Sequence, residues 1–328
     1  MHCSIIIPTR LRADLLLETL DSLNHQSEKD FEVVVVCDGE DPQTRDLSIQ
    51  YEAKFPLRWV FNAENVGQAS ARNTGAQVAT GNLLLFLDDD TAPAPDWLSH
   101  HRKRHESRGH NCEVVVLGQL QHIYAQPARS HTERFLRRDI DDTFAKLYSV
   151  LMEGGKKAAG HVWVGLNTSI CRTRYLAAGG GDAKLPHVQE DAELGTRLWS
   201  EGIEFIFEPR ALIYHRSTKD LIDAHYRNAP LFGQSDVYRV RDKRQHIAQD
   251  LFLSSIHRGK LKRRLRRRMA WEYPRLMCTI GELCRPVTDA VGSEFFFRVW
   301  ADLTFSAGYW EGVKSEGVTL DSLQRLIA

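Results

Sequence analysis

Through the first 120 residues, short unbroken apolar runs alternate with stretches of helical periodicity, and this alternation restricts the fold more than any other feature. Residues 3–8, 31–37, 57–61, 83–87 and 114–117 are too uniformly apolar to keep one face in water, so they are expected as buried strands. Between the first two runs, residues 13–25 set Leu15, Leu16, Thr19, Leu20 and Leu23 at helical spacing. A second helix, 67–78, falls between the third and fourth runs, bounded by Asn65 and Gly81. Strand and helix in alternation predict an α/β fold, a mostly parallel doubly wound sheet with helices on both faces. Further on, 132–152 reads as helix and 154–160 as a flexible stretch. Residues 162–171 and 205–213 are expected as a strand pair bracketing an acidic helix at 190–202. After Thr218 the texture changes to long amphipathic, basic helices. The expected organisation is therefore an α/β domain over 1–218, with halves 1–120 and 121–218, followed by a helical C-terminal region over 219–328.

Ligands of such sheets bind outside the carboxyl ends of the strands. That rule singles out Pro8-Thr9-Arg10, Asp38-Gly39 and Asp88-Asp89-Asp90, each directly after a strand. Carboxylates at a strand end are hard oxygen ligands suited to Mg²⁺ or Mn²⁺ bridging a diphosphate. The same triplet could also be a solvated acidic turn leading into a helix at 95–101. Around Arg72, Gly67 and Gly75 permit close backbone approach, and a helix start offers free N–H groups to anions. Arg72 could meet a phosphate or a site carboxylate, or simply be an exposed arginine on a capped helix.

Net charge excludes nothing, because Lys plus Arg and Asp plus Glu are both 43. Its distribution is uneven: 18 basic and 13 acidic residues follow Lys219, leaving 25 and 30 up to that point. The six cysteines show no CxxC pair and no zinc spacing. Cys3, Cys37, Cys112 and Cys171 lie in or beside apolar runs, where a reduced thiol packs as a small hydrophobe, and this favours a reducing compartment. No signal peptide is visible, and no apolar run approaches the roughly 20 residues a spanning helix needs. A cytoplasmic protein, soluble or peripheral on the membrane's inner face, is the expectation.

The ordered series Ile6-Ile7-Pro8-Thr9-Arg10, Val36-Cys37-Asp38-Gly39, Asn65-x-Gly67-x-x-x-Ala71-Arg72-Asn73-x-Gly75 and Leu87-Asp88-Asp89-Asp90 runs on through Gly165-Leu166-Asn167-Thr168-Ser169. It ends with Glu190-Asp191-x-Glu193-Leu194-x-x-Arg197-Leu198 and Tyr214-His215. Together these pieces, over about residues 1–215, resemble the family 2 inverting glycosyltransferases of the GT-A fold. The resemblance implies a nucleotide pocket lined by Pro8, Thr9 and Arg10, with Asp38 accepting a hydrogen bond from the base and Arg72 near the diphosphate. Asp88 and Asp90 match the family's DxD element, Asp90 being the direct metal ligand, with Asp89 between them in the nucleotide site. Asp191 matches the catalytic base, Glu190 and Asn167 fall at acceptor or sugar positions, and His215 at a metal or pyrophosphate position. A histidine ending a strand is also a common hydrogen-bonded structural residue. The implied cofactor is Mn²⁺ or Mg²⁺, the donor a nucleotide sugar with uridine diphosphate expected, and the acceptor a saccharide or lipid-linked hydroxyl in surface polysaccharide or glycolipid synthesis.

Other features admit plainer readings. His100, His101, His105 and His110 lack a further ligand to complete a zinc set, so they read as a solvated helix face. Gly179-Gly180-Gly181 reads as a mobile turn, and the aromatics from Trp271 to Trp310 as core. The basic run 258–269 spaces Leu261, Leu265 and Met269 by four, one apolar stripe on a cationic helix. Such a helix either rests on an anionic leaflet or packs its stripe on the catalytic domain. No nucleic-acid partner is expected, since no recognition motif accompanies the charge. A sugar nucleotidyltransferase would share the sheet and acidic ligands but would want a Gly-rich, Lys-containing loop after the first strand, where Thr9-Arg10-Leu11-Arg12-Ala13 has no glycine. A catalytically silent nucleotide-binding relative is the third alternative, disfavoured by the full acidic set.

Overall fold

A computed structural model describes residues 1–109, 112–152, 163–185, 188–217, 220–242 and 261–327. The expected stretch at 154–160, His110 and residues 258–260 of the basic run lie outside the described residues. The chain divides into two compact units, Met1–Ala125 with Thr143–Thr218, and Gln126–Asp142 with Lys219–Ala328.

The first unit is α/β. Strands β1 (Cys3–Thr9), β2 (Phe31–Asp38), β3 (Leu57–Asn62), β4 (Leu83–Leu87), β5 (Thr91–Pro93), β6 (Val114–Tyr124), β7 (Asn167–Cys171) and β8 (Glu204–Ser217) form one sheet in the order β3-β2-β1-β4-β7-β6-β8-β5. Every residue of β1, β2 and β4 is buried, which is why these runs lack a polar alternation. Successive residues serve opposite faces. Ile5, Ile7, Val33, Val35 and Leu85 join one core with Leu16, Leu20 and Leu23 of α1 (Ala13–Leu23). Ile6, Val34, Val36, Leu84 and Phe86 join the other with Ala71 and Ala76 of α3 (Gln68–Val78) and Leu194 and Leu198 of α7 (Glu190–Ser200). The doubly wound expectation is met on these two faces. β3, expected as fully buried, is only half-buried, because it closes one edge of the sheet.

Parallel pairing holds for β1/β2, β1/β4, β2/β3 and β6/β8, while β4/β7, β6/β7 and β5/β8 are antiparallel. The expected pairing of 162–171 with 205–213 does not occur: β6 lies between them, pairing Val114–Tyr124 with Glu204–Ser217. Short elements complete this unit: α2 (Pro42–Gln50), capped by Asp41, α4 (Trp97–Glu106), where a helix was expected over 95–101, and α6 (Arg172–Ala177).

Two sequence expectations fail here. α4 buries Trp97, Leu98, His101 and His105, so the histidine face is not solvated. His101 Nδ1 lies 2.8 Å and His105 Nε2 2.9 Å from Ser169 Oγ, so polar partners on β7 make burial tolerable. Burial drives their pKa values down, to about 4 for His101 and about 3 for His105. Cys112 and Cys171, expected as thiols, form a disulfide with Cα atoms 5.1 Å apart, while Cys3, Cys37, Cys278 and Cys284 remain free. Strand pairing brings the two together across 59 positions, a proximity that scattered spacing cannot reveal.

The second unit is helical. Periodicity places the boundary after residue 218 alone, yet the first half of α5 (His131–Met152) also belongs here, because Phe135 packs on Phe297 and Trp300. The main core joins α8 (Leu221–Arg241), α9 (Leu261–Glu272), α10 (Pro274–Val291), α11 (Glu294–Ser315) and α12 (Leu320–Ile327) through Val237, Trp271, Met277, Trp310 and Leu323. Trp271, Phe297, Trp300, Tyr309 and Trp310 are core, as expected of the aromatics, but Tyr273 and Phe295 in the same stretch are exposed. No described helix is long and apolar enough to cross a membrane.

Candidate active site

Two arginines organise the carboxyl edge of the first unit's sheet. From the turn after β1, Arg12 Nη1 donates to Asp89 Oδ1 at 2.6 Å and to Asp90 Oδ2 at 2.9 Å, and its Nη2 reaches Asp90 Oδ2 at 3.0 Å. Asp89 Oδ2 accepts from the Thr9 hydroxyl at 2.8 Å. Asp89 is therefore an internal anchor with both oxygens engaged. Burial pushes its pKa up to about 6, even with Arg12 beside it. Arg12 was legible in the sequence only as part of a glycine-free loop; three consecutive carboxylates one strand away are the signal that such a cation is needed.

The second arginine, Arg72, is 4% exposed on α3. Its Nη2 donates to Asp88 Oδ1 at 2.9 Å, and its Nη1 to Asp191 Oδ1 at 3.2 Å, with Glu190 Oε1 4.0 Å away. Asp88 Oδ1 also accepts from Gln68 Nε2 at 3.0 Å. Burial opposes the Arg72 charge, but Asp191, Asp88 and Glu190 outweigh it and raise its pKa. Glu190 and Asp191 open α7, and burial raises both of their pKa values despite the opposing pull of Arg72. Asp191 Oδ2 accepts the Gly165 N–H at 2.9 Å. A Cβ at Gly165 would stand 2.5 Å from Arg72 Cζ and 2.8 Å from Asp191 Oδ1, so only glycine lets the backbone reach this pair.

Asp90 Oδ1 lies 3.3 Å from His215 Nε2. β5 and β8 enforce that meeting, since Thr91 is the register partner of His215 and the Arg216 N–H donates to the Asp90 carbonyl at 2.8 Å. Asp38, at the end of β2, accepts from Asn62 Nδ2 at 3.0 Å and from the N–H groups of Val66 and Gly67 at 3.0 and 2.9 Å. Gly67, at φ +88°, has a backbone conformation that favours glycine, presents its N–H to Asp38 and starts α3. Asp38 thus shapes the loop whose next residue, Gln68, touches Asp88.

Pro8 and Thr9 are buried at the end of β1, and Arg10 is exposed just beyond. Asn167 is not gathered with the others. It is 2% exposed, its amide donates to the Gln119 and Ala211 carbonyls at 2.9 and 3.0 Å, and its oxygen accepts from Trp97 Nε1 at 2.7 Å. The Gly180 and Gly181 turn, expected as mobile, is clamped: Asn73 exchanges two hydrogen bonds with Gly181, and Arg197 Nη2 donates to the Gly180 carbonyl at 2.7 Å. Among the described residues, no set of three His, Cys, Asp or Glu side chains has the geometry of a complete metal cage.

A mixed, mostly parallel sheet of the GT-A type carries carboxylates from the turn after β4 and from α7 onto one buried guanidinium. The chain belongs to the family 2 glycosyltransferases: it matches the model for glycosyl transferase family 2 over residues 4–161 and that for glycosyl transferase family group 2 over residues 83–301. It is similar to the uncharacterized glycosyltransferase YfnE of Bacillus subtilis, 26% identical over 76% of this chain and 69% of that protein. Over 35% of the chain it is 43% identical to validoxylamine A glucosyltransferase of Streptomyces hygroscopicus, of which it spans only 28%. Its fold matches a mannosyltransferase of Pyrobaculum calidifontis, solved with GDP-Man and Mn²⁺, with a TM-score of 0.61 at 19% identity over 97% of this chain and 88% of that one. It also matches Staphylococcus aureus TarS 1–349, with a TM-score of 0.53 at 16% identity over 98% and 93% of the two chains.

Proposed function

We propose that this glycosyltransferase moves a sugar from a nucleoside diphosphate donor, uridine diphosphate being expected, to an acceptor hydroxyl with inversion at the anomeric carbon. The acceptor is a saccharide or lipid-linked sugar of the kind used in surface polysaccharide or glycolipid synthesis. One observation carries the reading: Arg72 holds Asp88 and Asp191, 103 positions apart in sequence, through a single guanidinium. Solved structures of similar fold that carry GDP-Man with Mn²⁺ or UDP support the donor class.

Asp191 is the proposed base. Its side chain is 32% exposed against 8% for Glu190, so an acceptor can reach it. Its raised pKa strengthens it as a proton acceptor, while the Gly165 N–H and Arg72 fix its orientation. As the acceptor oxygen attacks from the face opposite the leaving group, Asp191 takes the hydroxyl proton, and a single displacement inverts the centre. Glu190 borders the acceptor side; Pro8, Thr9, Arg10 and Asp38 border the nucleotide. Asp90 and His215, a carboxylate oxygen and an imidazole nitrogen 3.3 Å apart, suit Mn²⁺ or Mg²⁺, with Asp88 nearby on the same turn. That ion, when bound, neutralises charge developing on the diphosphate. Asn167 keeps its polar atoms for internal partners and takes no substrate in this scheme.

A panel of nucleotide sugars, titrated by calorimetry with and without Mn²⁺, tests the reading. One donor should bind only with the ion, and Asp90→Ala should lose that dependence. Asp191→Asn should bind the donor normally yet transfer sugar about 10³-fold more slowly. Donor affinity indifferent to the ion and to Asp90, or full turnover in Asp191→Asn, would refute the corresponding assignment.

A further inference from the structure

α10 packs inward through Met277, Gly281 and Thr288, and the neighbouring flank of the helix is apolar as well. Leu276, Ile280, Leu283, Val287 and Val291 are 52%, 38%, 69%, 37% and 67% exposed. Their spacing of four, three, four and four places them in one stripe along the helix. The charged residues of α10, Arg275, Glu282, Arg285 and Asp289, fall outside that stripe on the helical wheel. An exposed aromatic stands at each end, Tyr273 at 57% and Phe295 at 70%. A stripe this long and uncharged is more than the scattered exposed leucines of an ordinary surface.

What covers it is indicated by charge. α9, which leads into α10, has the sequence LKRRLRRRMAWE, six cations against one acid. Its buried side is Arg267, Ala270 and Trp271, with Arg267 paired to Asp302 at 2.9 Å. Leu261, Leu265 and Met269 are left 67%, 54% and 45% exposed beside Arg264 and Arg268. The stripe of this basic helix is therefore not packed away. Apolar stripes alternating with arginines, flanked by aromatic rings, have the composition of helices that lie in a membrane interface. A stripe that runs the length of a helix meets a surface with the helix axis parallel to it.

We infer that the second unit binds an anionic lipid surface through the outward stripe of α10, with the arginines of α9 supplying the electrostatic attraction. The α10 helix, 18 residues and so roughly 27 Å long, sinks its aliphatic side chains to the acyl boundary, and the cations stay among the headgroups. This contact is independent of the donor chemistry proposed above.

Sedimentation of the full chain with sucrose-loaded vesicles tests it. Vesicles of phosphatidylcholine with phosphatidylglycerol should pull the protein down, phosphatidylcholine alone should not, and high salt should weaken the binding. The pair Leu276→Glu with Leu283→Glu should lower partitioning about tenfold or more, and so, separately, should Val287→Glu with Val291→Glu. Arg264→Glu with Arg268→Glu should weaken binding to anionic vesicles specifically. Turnover of the donor with a soluble acceptor should be unchanged in all of them. Absence of binding to anionic vesicles, or binding unaltered by both stripe variants, would overturn the inference. So would a dimer in sedimentation velocity that Leu283→Glu dissolves while vesicles are ignored, which would assign the stripe to a second copy of the chain.

Discussion

Arg12 shows how much one side chain can carry. It is the partner of two buried carboxylates, Asp89 and Asp90, 4% and 3% exposed. Removing one member of a buried ion pair leaves an uncompensated charge and costs about 3 kcal/mol or more. Arg12→Met should therefore lower the melting temperature sharply at pH 8. The deficit should shrink at pH 5, because Asp89, whose folded pKa is raised to about 6, is then protonated and no longer needs a cation. The sign follows from the raised pKa: the folded state holds this proton more tightly than the unfolded chain, so the cost of the charge is present above pH 6 and fades below it. Thermal denaturation of both proteins at the two pH values checks the prediction, and equal deficits would contradict it. Asp38, Asp88 and Asp90 were legible as candidates because they close or follow strands, and Arg72 because it lies on a helix flanked by Gly67 and Gly75, whereas Asp191 and His215 became candidates through the family resemblance. Their pairing was not legible: the reach of a guanidinium from α3 to α7 depends on how the two helices lie over one sheet face.

At the level of elements, α4 is the instructive case. Its polar sequence, with three histidines among ten residues, conceals a buried stripe of Trp97, His101 and His105. Periodicity carries the spacing, four and four, but hydropathy gives no hint, since an imidazole is counted as polar whether or not Ser169 waits beneath it. Both histidines have pKa values lowered by burial, to about 4 and 3, against 6.5 for the free side chain. As pH falls below 6.5 the unfolded chain gains protons that the folded one refuses, so these groups withdraw stability progressively toward pH 4. The double variant His101→Gln, His105→Gln should be less stable at pH 7 but should lose less between pH 7 and pH 4.5. Urea midpoints across that range are the measurement, and parallel curves for variant and parent would exclude the titration of this pair. β7 and β8 teach the complementary lesson: both were readable as strands, but their separation by β6 was not, because sequence neighbours need not be sheet neighbours.

For the whole molecule, the disulfide between Cys112 and Cys171 closes a loop of 59 positions across the first unit. In the chain-entropy account such a loop contributes about 4 kcal/mol by restricting the unfolded state. Alkylation of the denatured protein should label four thiols before reduction and six after it, and reduction should lower the melting temperature. Six labelled cysteines without reductant would show the bond absent. A reducing compartment, inferred from cysteines scattered through apolar runs, loses its footing if the bond persists in the cell.

Sequence alone determined the α/β class, most strand positions and the acidic candidates, since a run buried on both faces must be apolar and a ligand edge must be polar. Tertiary structure alone decided which carboxylates share an arginine, that His101, His105 and Asn167 are interior, that two cysteines meet, and that α10 faces outward with its leucines. The division has one physical cause. Local pattern records whether a residue is buried, while contact between residues far apart in the chain is set by packing geometry that no single segment contains.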